Sequence, residues 1–162
     1  MRMSEGVEWA IHCCTVLALL PPDAALPGAR LAEFHGVPAP YLAKSLQALT
    51  RAGITESLSG RHGGFRLARP LDRITLLDIV EAVDGGEPAF TCTEIRRRGP
   101  ARVPARQYAP RCAIAVAMAR ADEAWRRELA ATSIGDLLIT LSTTVPPDAA
   151  AKGAAWFQEV LA

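Results

Sequence analysis

Residues 29–69 read ARLAEFHGVPAPYLAKSLQALTRAGITESLSGRHGGFRLAR, and their punctuation decides the fold. The pattern predicts a short helix, Ala29 to Phe34, a tight turn at His35-Gly36-Val37, and a longer helix from about Pro40 to Ala52. Leu31, Ala32, Val37, Leu42, Leu46 and Leu49 supply the apolar contact between the two helices. A short helix, a glycine turn and a longer helix make the helix-turn-helix pattern. Pro38 and Pro40 suit the entry to the second helix, where a fixed φ and a missing N–H cost nothing. After Gly53 the period changes: Ile54, Glu56 and Leu58, then Phe65 and Leu67, predict two short strands around a glycine-rich turn. A hairpin wing directly after a helix-turn-helix follows, with Arg61 and His62 at its tip.

On the N-terminal side, Ser4 is the expected N-cap of a first helix, with Glu5 in a turn that favours negative charge. Val7, Ala10, Ile11, Cys14, Leu17 and Ala18 recur at helical spacing, and Pro21-Pro22 ends the helix. On the other side, Thr75 and Asp78 form a capping box before ITLLDIVEAVDG, closed by Gly85 and Gly86. Glu87 to Arg111 holds Pro88, Pro100, Pro104, Pro110 and the run Arg96-Arg97-Arg98, with no sustained period, and reads as a long loop, of the kind that is functional or disordered. From Cys112 to Ala131 the stripe Ile114, Met118, Ala121, Trp125, Leu129 returns at helical spacing. That helix has few internal neighbours to cover it, so a second subunit is expected against it. A helix from Ser133 to Leu141 and, after Pro146-Pro147, a last helix bearing Trp156 complete the chain.

The expected fold is therefore mainly α with a small β-hairpin: a winged helix-turn-helix domain plus a long dimerisation helix. The corresponding segments are 1–85 for the winged domain, 86–111 for the long loop, 112–145 for the dimerisation helices and 146–162 for a tail helix. With 162 residues, half of them hydrophobic, the chain is long enough for one sizeable core. Its net charge of +1 means that any grip on nucleic acid has to come from a local basic surface. The start MRMSEGVEWAIHCC lacks the layout of a signal peptide, and the apolar run Cys13 to Leu20 is too short to span a bilayer. A cytoplasmic protein is expected, in which four cysteines serve packing, metal binding or redox chemistry rather than a disulfide scaffold.

The segments LAEFHGVPAPYLAKSLQALTRAGI, SGRHGGFRLARP and ITLLDIVEAVDG, followed by a cysteine-bearing loop and a helix, resemble the Rrf2 family of bacterial regulators over residues 1 to about 141. GVEWAIHCC and PAFTCTEIRRRGP are most similar to its RsrR-type 2Fe–2S redox regulators. The resemblance implies a homodimer, double-stranded palindromic DNA targets and a cofactor in the loop. Many cluster-binding members carry three loop cysteines, whereas this chain has only Cys92 and Cys112 there. The subgroup likeness implies that Glu8 and His12 of one subunit join Cys92 and Cys112 of the other around a 2Fe–2S cluster. Trp9, adjacent in sequence, is placed to cover such a cluster or to move as its charge changes.

The residue chemistry allows this without requiring it. Glu8 and His12 lie four apart on one side of the first helix, with Cβ atoms about 6 Å apart. Thiolates are the usual ligands of such clusters and imidazole can replace them. A lone Glu–His pair at this spacing is more often a surface ion pair than a metal site. Cys92 and Cys112 can instead form a reversible disulfide, and the four groups also suit zinc. Cys13 and Cys14 fall on the apolar face. For DNA, the start of the recognition helix offers Ala39, Pro40, Tyr41, Lys44 and Ser45 to the major groove, with Arg2, Arg61 and His62 as flanking contacts. The arginine run, beside Cys92, is expected to balance nearby acids or a cluster's negative charge in preference to contacting DNA. A zinc hydrolase with Glu8 as base, or a winged adaptor without DNA, are the rival classes. No phosphate loop or nucleophile elbow supports an enzyme.

Overall fold

The computed structural model describes residues 3–60, 63–100, 102–108 and 111–161. Helix α1 (Glu5–Leu17) forms the centre of the core, with Val7, Ala10, Cys13 and Cys14 all 0–1% exposed. Ser4 stands at its N-cap in extended backbone, but its side chain does not cap the helix. Its hydroxyl and its N–H instead both reach the Asp84 carboxylate. The helix ends at Leu17, short of Pro21, and the chain tightens through Leu19 N–H to Val16 and Leu20 N–H to Leu17 bonds.

Helices α2 (Gly28–His35) and α3 (Ala39–Arg51) pack through Leu31, Leu42, Leu46 and Leu49, each 0–1% exposed. The turn between them is a Schellman closure. Val37 N–H bonds Ala32 O at 3.0 Å, Gly36 N–H bonds Glu33 O at 3.1 Å, and Gly36 sits at φ 64°. Strands β1 (Thr55–Leu58) and β2 (Gly64–Leu67) pair antiparallel, with Thr55 opposite Leu67 and Ser57 opposite Phe65. One contact has no local signature. Leu26 and Phe65 exchange backbone bonds of 2.8 and 2.9 Å, which stitches the chain before α2 to the wing. Gly64 allows the approach, because a Cβ there would stand 2.4 Å from the Leu26 backbone.

Helix α4 (Leu76–Asp84) opens with the expected capping box, Asp78 N–H to Thr75 Oγ1 at 3.1 Å and Thr75 N–H to Asp78 Oδ2 at 2.9 Å. Thr75→Ala is expected to lower stability by about 1 kcal/mol, read as a lower denaturant midpoint at unchanged slope. A second box, Ser133 with Asp136, opens α6 (Ile134–Thr144). Leu76 N–H to Thr132 O and Ile134 N–H to Ile74 O, both 2.9 Å, zip the starts of α4 and α6 together over buried Ile74 and Ile134. Helix α6 is thus packed into the core of the winged unit instead of extending α5.

Helix α5 (Ala113–Ala130) has no buried residue. Ile114 is 63% and Met118 40% exposed, while Trp125 and Leu129 are half-buried. Helix α7 (Pro147–Leu161) lays Trp156 and Phe157 on Phe34 at the end of α2, with ring centroids 4.9 and 5.5 Å apart. Among the described residues, the segment between α4 and α5 is loop with two short 3-10 turns, Ile95–Arg97 and Ala105–Tyr108. No helix among the described residues is long and apolar enough to cross a membrane.

Candidate functional site

The loop returns to the start of α5 and brings Cys92 beside Cys112, the N-cap residue of that helix. No side-chain hydrogen bond caps α5 in the usual sense. The backbone N–H groups of Ala115 and Ile114 face the Cys112 sulfur instead. They hold its pKa below the ordinary thiol value, with Arg96 and Cys92 adding to the effect. Glu94 adopts a left-handed backbone, φ 50°, unusual for a residue with a side chain. Its carboxylate then lies 3.7 Å from Cys92 Sγ and takes Arg96 Nη2 at 2.7 Å. Arg96 holds the Glu94 carboxyl below its usual range, and the guanidinium charge also acts on both sulfurs. The basic run therefore contributes at Arg96 by local pairing.

The buried cysteines behave oppositely. Burial pushes Cys13 up to about 12, and Cys14 further, by burial first and then by its neighbour Cys13. The nucleophile is the thiolate, so a depressed pKa keeps it present at a pH where a free thiol is protonated, and a raised one removes it at neutrality. In reduced, metal-free protein, Cys112 is expected to alkylate at a pH below that needed by a free cysteine, while Cys13 and Cys14 react only on unfolding. A pH series of iodoacetamide labelling, with sites assigned by mass spectrometry, checks both halves.

Glu8 and His12 are exposed on α1. The His12 ring meets His35, 5.5 Å between centroids, and His35 touches Phe34 at 5.1 Å. His35 is held below its ordinary value chiefly by burial and then by the nearby His12 charge. Among the described residues, no three histidine, cysteine or acidic side chains gather to hold a metal. One chain therefore presents two separate pairs, the sulfurs on the loop and α5 and the Glu–His pair on α1.

On the recognition helix, Ala39, Pro40, Tyr41 and Lys44 are exposed, Tyr41 by 61%. Lys44 Nζ rests 5.6 Å from the Tyr41 ring centroid. Ser45 is a correction. It is 4% exposed and faces α1, where a Cβ on Gly6 would come within 3.0 Å of its Oγ, so it cannot reach a base edge. Gln47 and Arg51 are exposed further along α3, at spacings of three and seven from Lys44 that could have flagged them. Trp9 lines a groove of about 410 Å³ with Tyr41, Lys44 and Arg51, so the residue beside Glu8 borders the recognition helix. Arg2, Arg61 and His62 lie outside the described residues. Motif reading also passed over His35 and Glu94. The one local hint was the Cys-x-Glu spacing.

A helix-turn-helix, a hairpin wing and an exposed, basic recognition helix define a winged-helix protein. Residues 3–140 match the sequence profile of the Rrf2 family, described as an iron-dependent transcriptional regulator, and the chain belongs to that family. YwgB of Bacillus subtilis (strain 168), named as an HTH-type transcriptional regulator, is 40% identical over 85 residues, 52% of this chain and 54% of that protein. The alignment with Protein aau3 of Rhizobium meliloti (strain 1021) is 36% identical over 108 residues, 67% of this chain and 66% of that protein. The chain thus spans between half and two thirds of the length of these relatives. Among solved structures, T. potens IscR superposes with a TM-score of 0.66 at 18% identity, covering 90% of this chain and 93% of that one. CymR, the global cysteine regulator of B. subtilis, gives 0.64 at 21%, covering 85% and 95%. At such identities the likeness concerns the fold.

Proposed function

We propose that this chain is a redox-sensing, DNA-binding transcription regulator that works in the cytoplasm as a homodimer on palindromic DNA. In this reading a 2Fe–2S cluster is held by Glu8 and His12 of one subunit and Cys92 and Cys112 of the other. The observation that carries it is the convergence of Cys92 and Cys112 at the start of α5, beside the Arg96 charge. The donor set fits the group. Two sulfurs lie together beside the Arg96 guanidinium, with backbone N–H groups at the start of α5 holding the Cys112 thiol below its ordinary value, and an exposed carboxylate and imidazole stand one helical turn apart where a second copy can meet them. The open apolar face of α5, Ile114 and Met118, supports a second copy. When bound, the cluster supplies a one-electron redox change at the dimer seam. Trp9, sharing a groove with Tyr41 and Lys44, offers a path from Glu8 to the DNA-reading helix.

Anaerobically purified protein is expected to be red-brown, with iron and sulfide at about two each per subunit, and to retard a promoter fragment in a manner that changes with oxidant. A colourless, zinc-loaded protein overturns the cluster. No specific retardation in any redox state overturns the regulator.

The adjacency of the two sulfurs also favours a second reading. Hydrogen peroxide takes two electrons from Cys92 and Cys112, their S–H bonds and the O–O bond break as the sulfurs bond to each other, and the two oxygens leave with the two thiol protons as two waters. An iron-free protein whose DNA binding is reset by a dithiol reductant selects this reading.

A further inference from the structure

We infer that Arg126, seated on Asp122, is the positioning residue that sets the spacing between Cys92 and Cys112. The inference rests on the reading of those two sulfurs as the sensing pair. Arg126 lies far along α5 from Cys112, yet its guanidinium gathers four groups. Nε donates to Asp122 Oδ2 at 2.8 Å, Nη1 to the Glu81 carboxylate of α4, and Nη2 to the carbonyls of Gly86 at 2.7 Å and Glu87 at 3.4 Å. Asp122, its side chain only 14% exposed, uses its other oxygen to accept the Ala89 N–H at 3.4 Å. Arg126 and then that N–H hold the Asp122 carboxyl below its usual range, so the pair stays charged well into acid. The first residues of the loop are thereby pinned to the helix that carries the other cysteine.

The pinning matters because of lengths. From Asp122 back to Cys112, α5 runs ten residues, about 15 Å of stiff helix. From Ala89 to Cys92 the chain has three residues, which span at most about 11 Å when extended. The remaining gap is within the reach of two side chains only if the leash runs nearly taut along α5, and residues 90–94 indeed carry no helix or turn. The bonds of Gly86, Glu87 and Ala89 tie the start of this leash to α5, so a slip at Ala89 moves Cys92 away from Cys112.

The test uses reduced, metal-free full-length protein and a fluorogenic bifunctional alkylator that signals bridging of two neighbouring thiols, with the bridged peptides identified by mass spectrometry. Arg126→Gln is expected to slow Cys92–Cys112 bridging about tenfold, the lower end for residues that orient ligands from outside, and Arg126→Lys to recover part of the rate. Single-thiol alkylation of Cys112, whose thiol is governed first by the backbone N–H groups of α5, should slow far less than bridging. Asp122→Ala provides the second variant should Arg126→Gln fail to fold. Bridging at the wild-type rate in a folded variant of either residue overturns the inference. Equal slowing of bridging and of single-thiol labelling also overturns it, because that marks general loosening. Absence of iron from the native protein sinks the cluster and leaves this result standing, so the two failures are distinguishable.

Discussion

A heterodimer that pairs a Glu8→Ala/His12→Ala chain with a Cys92→Ala/Cys112→Ala chain is expected to regain one coloured site, while each parent homodimer is colourless. If ligands are shared across the seam, the first chain still offers its sulfurs and the second its carboxylate and imidazole, so one complete set meets in each mixed dimer. If all four came from one chain, no mixed dimer would hold a complete set. The expectation follows from the separation of the two pairs. Glu8 and His12 are exposed on α1, the sulfurs sit at the start of α5, and no three such groups converge among the described residues of one chain. Co-expression with two affinity tags, sequential purification and an iron and sulfide assay give the result. Half the wild-type iron in the doubly tagged fraction supports the shared site, and wild-type iron in either parent homodimer refutes the ligand assignment. The effect is all-or-none because an inorganic centre with half its ligands removed has nothing to replace them.

Lys44→Ala is expected to weaken DNA binding strongly and in a salt-dependent way. Lys44 is exposed on α3, with its Nζ 5.6 Å from the Tyr41 ring centroid. Removing one lysine–phosphate pairing lowers the slope of log affinity against log salt by about one, and in a dimer the substitution removes a pairing from each half-site. If Lys44 reaches a guanine instead, binding weakens by about 1–3 kcal/mol per half-site and discrimination at that base pair relaxes. Salt titrations of binding to cognate and scrambled fragments separate these outcomes. Ser45→Ala, one residue along and buried against α1, should leave the salt slope unchanged. An unchanged slope for Lys44→Ala, with unchanged affinity for the cognate fragment, would remove the recognition helix from the interface.

Much of this architecture is written in short-range chemistry. The Thr75–Asp78 box, the Gly36 closure, the two alternating strands and the proline entry to α3 each depend on residues within a few positions of one another, so their spacing alone announces them. Cys92 and Cys112 are recognisable as a pair through family likeness, and the loop's folding back onto α5 bears on them directly. Other features have no such local mark. Ser45 and Lys44 are adjacent and both polar, and only the packing of α1 over Gly6 decides which one faces solvent. His35 reads as a turn residue until α1 places His12 beside it. Ser4 is of the residue type favoured at a helix N-cap, yet its hydroxyl is taken by Asp84 from the far end of α4.

Element type, order and the winged-helix class were legible from the chain because periodicity and turn stereochemistry act over three to seven residues. The stitch between Leu26 and Phe65, the Arg126 junction and the docking of α7 on Phe34 had to wait for the folded molecule. Those arrangements join residues far apart in sequence, and their positions follow from how helices bury a common core, which no local window of side chains encodes.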